Sequence, residues 1–223
     1  MTVAHAGLGK AFRNRFVDSP GSMAETFRAR RWDVMRATYP DIADYHIVDL
    51  GGTVDAWLRA PVRPRKVTVL GLEPHGGEGI DWIEARYADA CDLPGDLADL
   101  RADLVYSNAV LEHVGGAERR QRFADTVHRL APRHWIQTPY RYFPIEPHWL
   151  FPGFQFLPVA TRVAIGRRWK LVHTANTDYE AVLGSVLSVE LVGLSEFRHL
   201  FPGSAIEHER FAGMTKSIIA ICA

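Results

Sequence analysis

Short apolar runs bounded by turn residues alternate with amphipathic stretches along the chain, and that alternation predicts an α/β fold. The first clear element is helical. Phe27, Trp32, Met35 and Tyr39 recur at helical spacing from Met23 to Tyr39, and Pro40 stops the run. Ser22 and Glu25 in front of it have the pattern of a capping box. Ile47-Val48 reads as the end of a buried strand, followed by Asp49 and the pair Gly51-Gly52, where the backbone must turn tightly or approach a ligand. A short helix is expected over 56–60. Strands are expected over 67–72, closed by Glu73, and over 82–86, 104–107 and 135–137, with helical stretches over 97–100 and 117–130. Short apolar strands separated by helices form a parallel sheet covered on both faces. A strand, a glycine turn and a helix are the nucleotide-binding opening of a doubly wound sheet.

The alternation breaks from Pro139 to Pro158, where Tyr140, Tyr142, Phe143, Trp149, Phe151, Phe154 and Phe156 are interleaved with prolines. Such a segment beside the carboxyl end of a strand is where an acceptor pocket would be built; its other reading is a homodimer contact. Helices are expected over 160–165, 179–192 and 194–200, and a closing hairpin from 205–210 and 217–222. One domain over 1–223 is expected, with 1–40 as an N-terminal helix or lid and 139–170 as an aromatic insertion. On the lid helix, Arg28, Arg30 and Arg31 either reach a ligand carboxylate or stay solvated on a surface face.

Charge narrows the partners. The 26 basic and 26 acidic residues cancel, so no global field attracts nucleic acid or an acidic membrane, and no nucleic-acid substrate is expected. Arginine outnumbers lysine 22 to 4, a bias that a GC-rich genome accounts for. Cys91 and Cys222 lack metal-ligand spacing and suggest a reducing compartment. The first residues lack the apolar core of a secretory signal, and no run is long enough to span a bilayer, so a cytoplasmic location is expected.

Five segments carry a further signal: DLGGTVDAW (Asp49–Trp57), VTVLGLEP (Val67–Pro74), ADACDLPG (Ala88–Gly95), ADLVYSNAVLEHV (Ala102–Val114) and WIQTPYRYFPIEPHW (Trp135–Trp149). In these segments and in their order the chain resembles the class I S-adenosylmethionine-dependent methyltransferases. That family usually shows G-x-G-x-G, whereas this chain has Gly51-Gly52-Thr53-Val54-Asp55. The resemblance implies a Rossmann-like, doubly wound, mostly parallel seven-stranded sheet with a C-terminal antiparallel hairpin strand. It implies S-adenosyl-L-methionine as cofactor. Asp49 would then hold the amino acid end, with Gly51, Gly52 and Thr53 in the turn. Glu73 would accept the ribose hydroxyls. Asp89, with the Ala90 N–H, would meet the adenine; Asp92 competes for that role. Ser107 and Asn108 would lie next to the methyl group. The same strand–glycine–acid pattern suits NAD, but most such reductases need a tyrosine with lysine four residues on, and none of the seven tyrosines has one.

Methyl transfer to an alcohol requires loss of the hydroxyl proton, for which a base or a metal is useful. Glu112, His113, Glu146 and His148 are the candidates, with His148 as base and Glu146 orienting it if the segment is extended. Some related methyltransferases hold a divalent ion with Glu-x-x-Glu-His and a later His. Here Ala109 stands at the first position, leaving Glu112, His113 and His148 as a partial site for an ion such as Mg. The TPYRYFPIEPHW segment is also similar to sugar O-methyltransferases of mycobacterial polysaccharides, which implies a small-molecule or oligosaccharide acceptor. The rivals are C-methylation of a quinone-like ring and a non-catalytic cofactor-binding protein.

Overall fold

A computed structural model describes residues 23–73, 76–169, 171 and 176–223. In chain order the elements are α1 (Met23–Thr38), β1 (His46–Leu50), α2 (Val54–Leu58), β2 (Lys66–Gly71), β3 (Ile83–Tyr87), β4 (Leu104–Asn108), α3 (Ala117–Leu130), β5 (Arg133–Pro139), β6 (Ile145–Glu146), β7 (Phe151–Pro152), α4 (Val159–Gly166), α5 (Tyr179–Leu187), α6 (Leu194–Leu200), β8 (Ala205–Phe211) and β9 (Met214–Cys222). They form two compact units. The larger is Thr38–Tyr142 with Glu190–Ala223; the smaller comprises Phe143–Val189 and the described residues up to Ala37. The capping pair expected at Ser22 and Glu25 falls outside what is described.

The larger unit holds a seven-stranded sheet of order β3-β2-β1-β4-β5-β9-β8. β1 to β5 run parallel, and β9 and β8 close the sheet antiparallel. This is the mostly parallel Rossmann-like sheet with a C-terminal hairpin. Ile47 to Leu50 are all buried, as a central strand covered on both faces must be. Phe123, Val127 and Leu130 fall on one face of α3 and pack with Val105, Ile136, Phe197 and Leu200, while Glu118 and Arg122 face solvent. Tyr39, just past α1, has its hydroxyl between the carbonyls of His134 and Cys222 at 2.8 and 2.9 Å. Strand order reverses between β1 and β4, and ligands of such sheets bind at the carboxyl ends of the strands flanking that switch.

Local differences from the sequence expectation have physical causes. Asp49 lies inside β1, in register with Val69 and Tyr106, because Trp57 makes a buried acid tolerable there. The short helix begins at Val54, where the Thr53 hydroxyl caps it by accepting from the Ala56 N–H at 3.2 Å. The stretch expected as helix over 97–100 is a 3₁₀ turn at Gly95–Leu97. The helix expected over 179–192 stops at Leu187, because the next backbone groups have tertiary partners. Glu190 N–H donates to Glu112 O at 2.8 Å, and Val192 bridges Tyr140.

In the smaller unit, α4 and α5 enclose Trp149, Phe154, Val163, Val182 and Val186. Gly166 permits their approach, since a Cβ there would lie 2.7 Å from Trp149 and 2.9 Å from Val182. The aromatic insertion contains a small hairpin of β6 and β7. Among the described residues no helix is long and apolar enough to cross a membrane.

Candidate functional site

The switch point of the larger unit gathers its unusual residues. Asp49 is 1% exposed. Its Oδ2 accepts from Trp57 Nε1–H at 2.6 Å, and its Oδ1 is enclosed without a partner among the described residues. Burial pushes this carboxyl up to about 7, and the Trp57 hydrogen bond works in the opposite direction. The glycine pair serves this arrangement. Gly51 has φ +78°, and a Cβ on it would strike Val110 at 2.6 Å; a Cβ on Gly52 would fall 1.7 Å from Asp49 Oδ2. Two glycines in a row therefore replace the spaced pattern because one must turn and the other must leave room for the carboxylate.

The end of β4 lies beside it. Ser107 is buried and its hydroxyl donates to Leu50 O at 2.9 Å, tying the ends of β4 and β1 together. Asn108 is half-buried at the last position of the strand. Ala109 follows with φ 56°, a left-handed conformation that costs an L-residue about 1–2 kcal/mol. Such strain collects at functional sites. Glu112 is buried in the 3₁₀ turn Leu111–His113, and its Oε2 accepts from the Thr138 hydroxyl at 2.9 Å; His113 is exposed.

The remaining sequence candidates are placed as follows. Glu73 is exposed, two residues past β2. Asp89 follows β3, where Arg119 meets both its oxygens at 2.7 and 3.0 Å and Cys91 N–H donates at 2.9 Å. Burial alone would raise its pKa; Arg119 and the Cys91 N–H hold it below the usual carboxylate value. Ala90 is half-buried and Asp92 exposed. Sequence reasoning missed Trp57, Thr138 and Arg119 as partners. Trp57 and Thr138 both lie within the resembling segments, but pairing them with Asp49 and Glu112 needs three dimensions.

The smaller unit contains the expected couple. Glu146, buried at the end of β6, bonds His148 Nδ1 through Oε1 at 2.7 Å and accepts from Trp149 N–H through Oε2 at 2.7 Å. A turn brings the pair together rather than an extended segment, and Leu150 within it has φ 51°. An imidazole that donates from Nδ1 carries its lone pair on Nε2, the form a general base needs. Of the residues expected to hold an ion, Glu112 and His113 belong to the larger unit and His148 to the smaller.

The mostly parallel, Rossmann-like sheet of the larger unit is a fold that solved structures share, a methyltransferase among them. A complex of DhpI with SAM and HEP aligns at TM-score 0.53 and 13% identity, covering 99% of this chain and 94% of that one. An S-adenosylmethionine-dependent methyltransferase from Mesorhizobium loti aligns at TM-score 0.51 and 22% identity, over 86% and 96% of the two chains. A protein described as a Zn-dependent alcohol dehydrogenase, from Rhodobacter sphaeroides, aligns at TM-score 0.52 and 11% identity, over 86% and 87%. Comparison with protein-family models and with curated proteins gives no match. At these identities the likeness is one of fold, and the residues must argue the chemistry.

Proposed function

We propose that the protein is an S-adenosyl-L-methionine-dependent methyltransferase acting on a small-molecule hydroxyl, with a sugar or saccharide as the acceptor class. The observation that carries the cofactor reading is the enclosed, unpartnered Oδ1 of Asp49 at the β1/β4 switch, next to two glycines. An ammonium donor completes that oxygen. The neighbouring structures solved with SAM or SAH support the same reading.

Asp49 and the Gly51-Gly52 turn would hold the amino acid end of the cofactor, and Glu73 the ribose hydroxyls. Of the two aspartates weighed for the adenine amino group, Asp89 is committed to Arg119 and Asp92 is exposed, which favours Asp92. The cofactor supplies a methyl group on a positively charged sulfur, open to in-line displacement. His148 would take the proton of the acceptor hydroxyl on Nε2. Glu146 holds the imidazole in the tautomer that accepts it and stabilises the imidazolium that forms. This couple favours an alcohol over a ring carbon, and neighbouring aromatic residues suit the apolar face of a sugar.

Calorimetric titration with S-adenosylhomocysteine, on wild type and Glu73→Ala with NAD as control, tests the cofactor. Tight binding weakened in the variant is expected; NAD binding instead overturns the reading. A panel of sugars against quinone precursors then tests the acceptor. Exhaustive chelation tests the accompanying ion, which unchanged turnover removes.

A further inference from the structure

The Asp49 carboxylate is gripped from two sides. Trp57 Nε1–H donates to Oδ2 at 2.6 Å, and the same oxygen lies over Gly52, where no Cβ fits. The indole is itself fixed. It is 2% exposed and meets the Tyr106 ring edge-on, with centroids 5.5 Å apart and planes at 71°. The carboxylate therefore cannot turn without breaking a charge-assisted hydrogen bond. What is left is Oδ1, enclosed and without a partner among the described residues, an arrangement that is costly for an ionised group until a donor reaches it.

We propose that Trp57 is a positioning residue for the cofactor's α-ammonium group: by fixing Oδ2 it reserves Oδ1 of Asp49 for a cation, and so selects ligands that carry the amino acid end. The proposal rests on the methyltransferase reading and deepens it. An ammonium brings both charge and donors to Oδ1, whereas a nucleoside thioether without the amino acid brings neither. The influences on this carboxyl are burial, which raises its pKa to about 7, and the Trp57 N–H, which lowers it; among the described residues no charged group contributes. Arrival of an ammonium favours the ionised form, so binding below neutral pH is accompanied by release of a proton.

The experiment is calorimetry with S-adenosylhomocysteine and with 5′-methylthioadenosine, which has the nucleoside and thioether but no amino acid. Wild type, Trp57→Phe and Trp57→His are titrated between about pH 6 and pH 8.5, around the shifted carboxyl. Phenylalanine keeps an aromatic ring against Tyr106 and removes the N–H; histidine returns a donor. Trp57→Phe is expected to bind S-adenosylhomocysteine about 10-fold or more weakly, the usual effect of losing a hydrogen bond to a charged group. Its affinity for 5′-methylthioadenosine is expected to stay at the wild-type value. The pH below which S-adenosylhomocysteine affinity falls is expected to move upward, and Trp57→His to recover part of the loss. Equal weakening of both ligands, or an unmoved pH limb, overturns the role of Trp57 while leaving the cofactor reading standing. If wild type binds neither ligand, the cofactor reading falls and the proposal with it. Should Trp57→Phe not fold, wild type decides: S-adenosylhomocysteine affinity that is flat through neutral pH while that of 5′-methylthioadenosine is also flat overturns the proposal.

Discussion

Replacing Asp49 by asparagine should relieve a cost that the folded chain bears for its function. The carboxyl rises from 3.8 to about 7 on burial. At about 1.4 kcal/mol per pH unit, ionising it in place costs about 4 kcal/mol relative to the unfolded chain. Because the folded value is the higher one, the associated stability is complete below about pH 3.8 and is lost as pH rises through about 7. From this residue alone, wild type should gain about 1.4 kcal/mol between pH 8.5 and pH 6, and about 2.7 kcal/mol between pH 8.5 and pH 5. Asparagine does not titrate and can still accept from Trp57 through its amide oxygen, so Asp49→Asn should lack this rise. At pH 8.5 the variant should be the more stable protein, by about 4 kcal/mol less the 1–3 kcal/mol of an enclosed amide N–H without an acceptor. Urea unfolding of both proteins at the three pH values measures the difference of differences, in which titrations common to both cancel. Binding of S-adenosylhomocysteine, measured alongside, should fall by about 100-fold, as expected when a charged partner is removed. Parallel stability–pH curves for the two proteins would refute the buried, strained carboxylate on which the site is built.

Gly52→Ala forces a Cβ to within 1.7 Å of Asp49 Oδ2. It should break the Trp57 hydrogen bond and destabilise the fold by about 2–4 kcal/mol, read by urea unfolding, with cofactor binding lost. Burial, and then His128, hold the His134 imidazole down to about 4 from 6.5, so its stability is present above pH 6.5 and is lost as pH falls toward 4. Wild type should lose about 2 kcal/mol from this source between pH 7.5 and pH 5, opposite in sign to Asp49, and His134→Gln should not; unfolding curves at the two pH values decide. Glu146→Gln keeps an acceptor for Trp149 N–H but removes the charge beside His148 Nδ1. On the true acceptor it should lower kcat about 10- to 100-fold with cofactor affinity unchanged, and an unchanged kcat would remove the couple from catalysis.

The parts of the fold legible in sequence are those encoded locally. Ile47-Val48, the glycine pair and the apolar runs at 67–72 and 104–107 declare a strand, a turn and further buried strands without help from distant residues. The polar pair Glu146 and His148 stood out against an aromatic background, and their contact is present, although a turn delivers it. What stayed hidden depends on partners remote in sequence. Asp89 reads as an acceptor for the adenine, and nothing near it in sequence announces Arg119 on both its oxygens. The stretch 189–192 reads as a continuation of the helix, with apolar Val189, Leu191 and Val192, but Glu190 N–H and Val192 pair with Glu112 and Tyr140 instead. Leu150 and Ala109 adopt left-handed conformations that nothing in their chemistry announces.

Asp49 combines both cases, and that makes it informative. An acid in the most buried strand of a parallel sheet breaks the local rule for such strands, and a chain selected for stability alone would place valine or isoleucine there. The surroundings reduce the violation without removing it: Trp57 satisfies one oxygen, Gly52 gives up its side chain to make room, and the second oxygen is left without a partner. The buried Glu146 has both oxygens completed by the protein, through His148 and Trp149. An acid left incomplete on one side, at the switch point of a doubly wound sheet, is arranged for a donor that the chain itself does not supply.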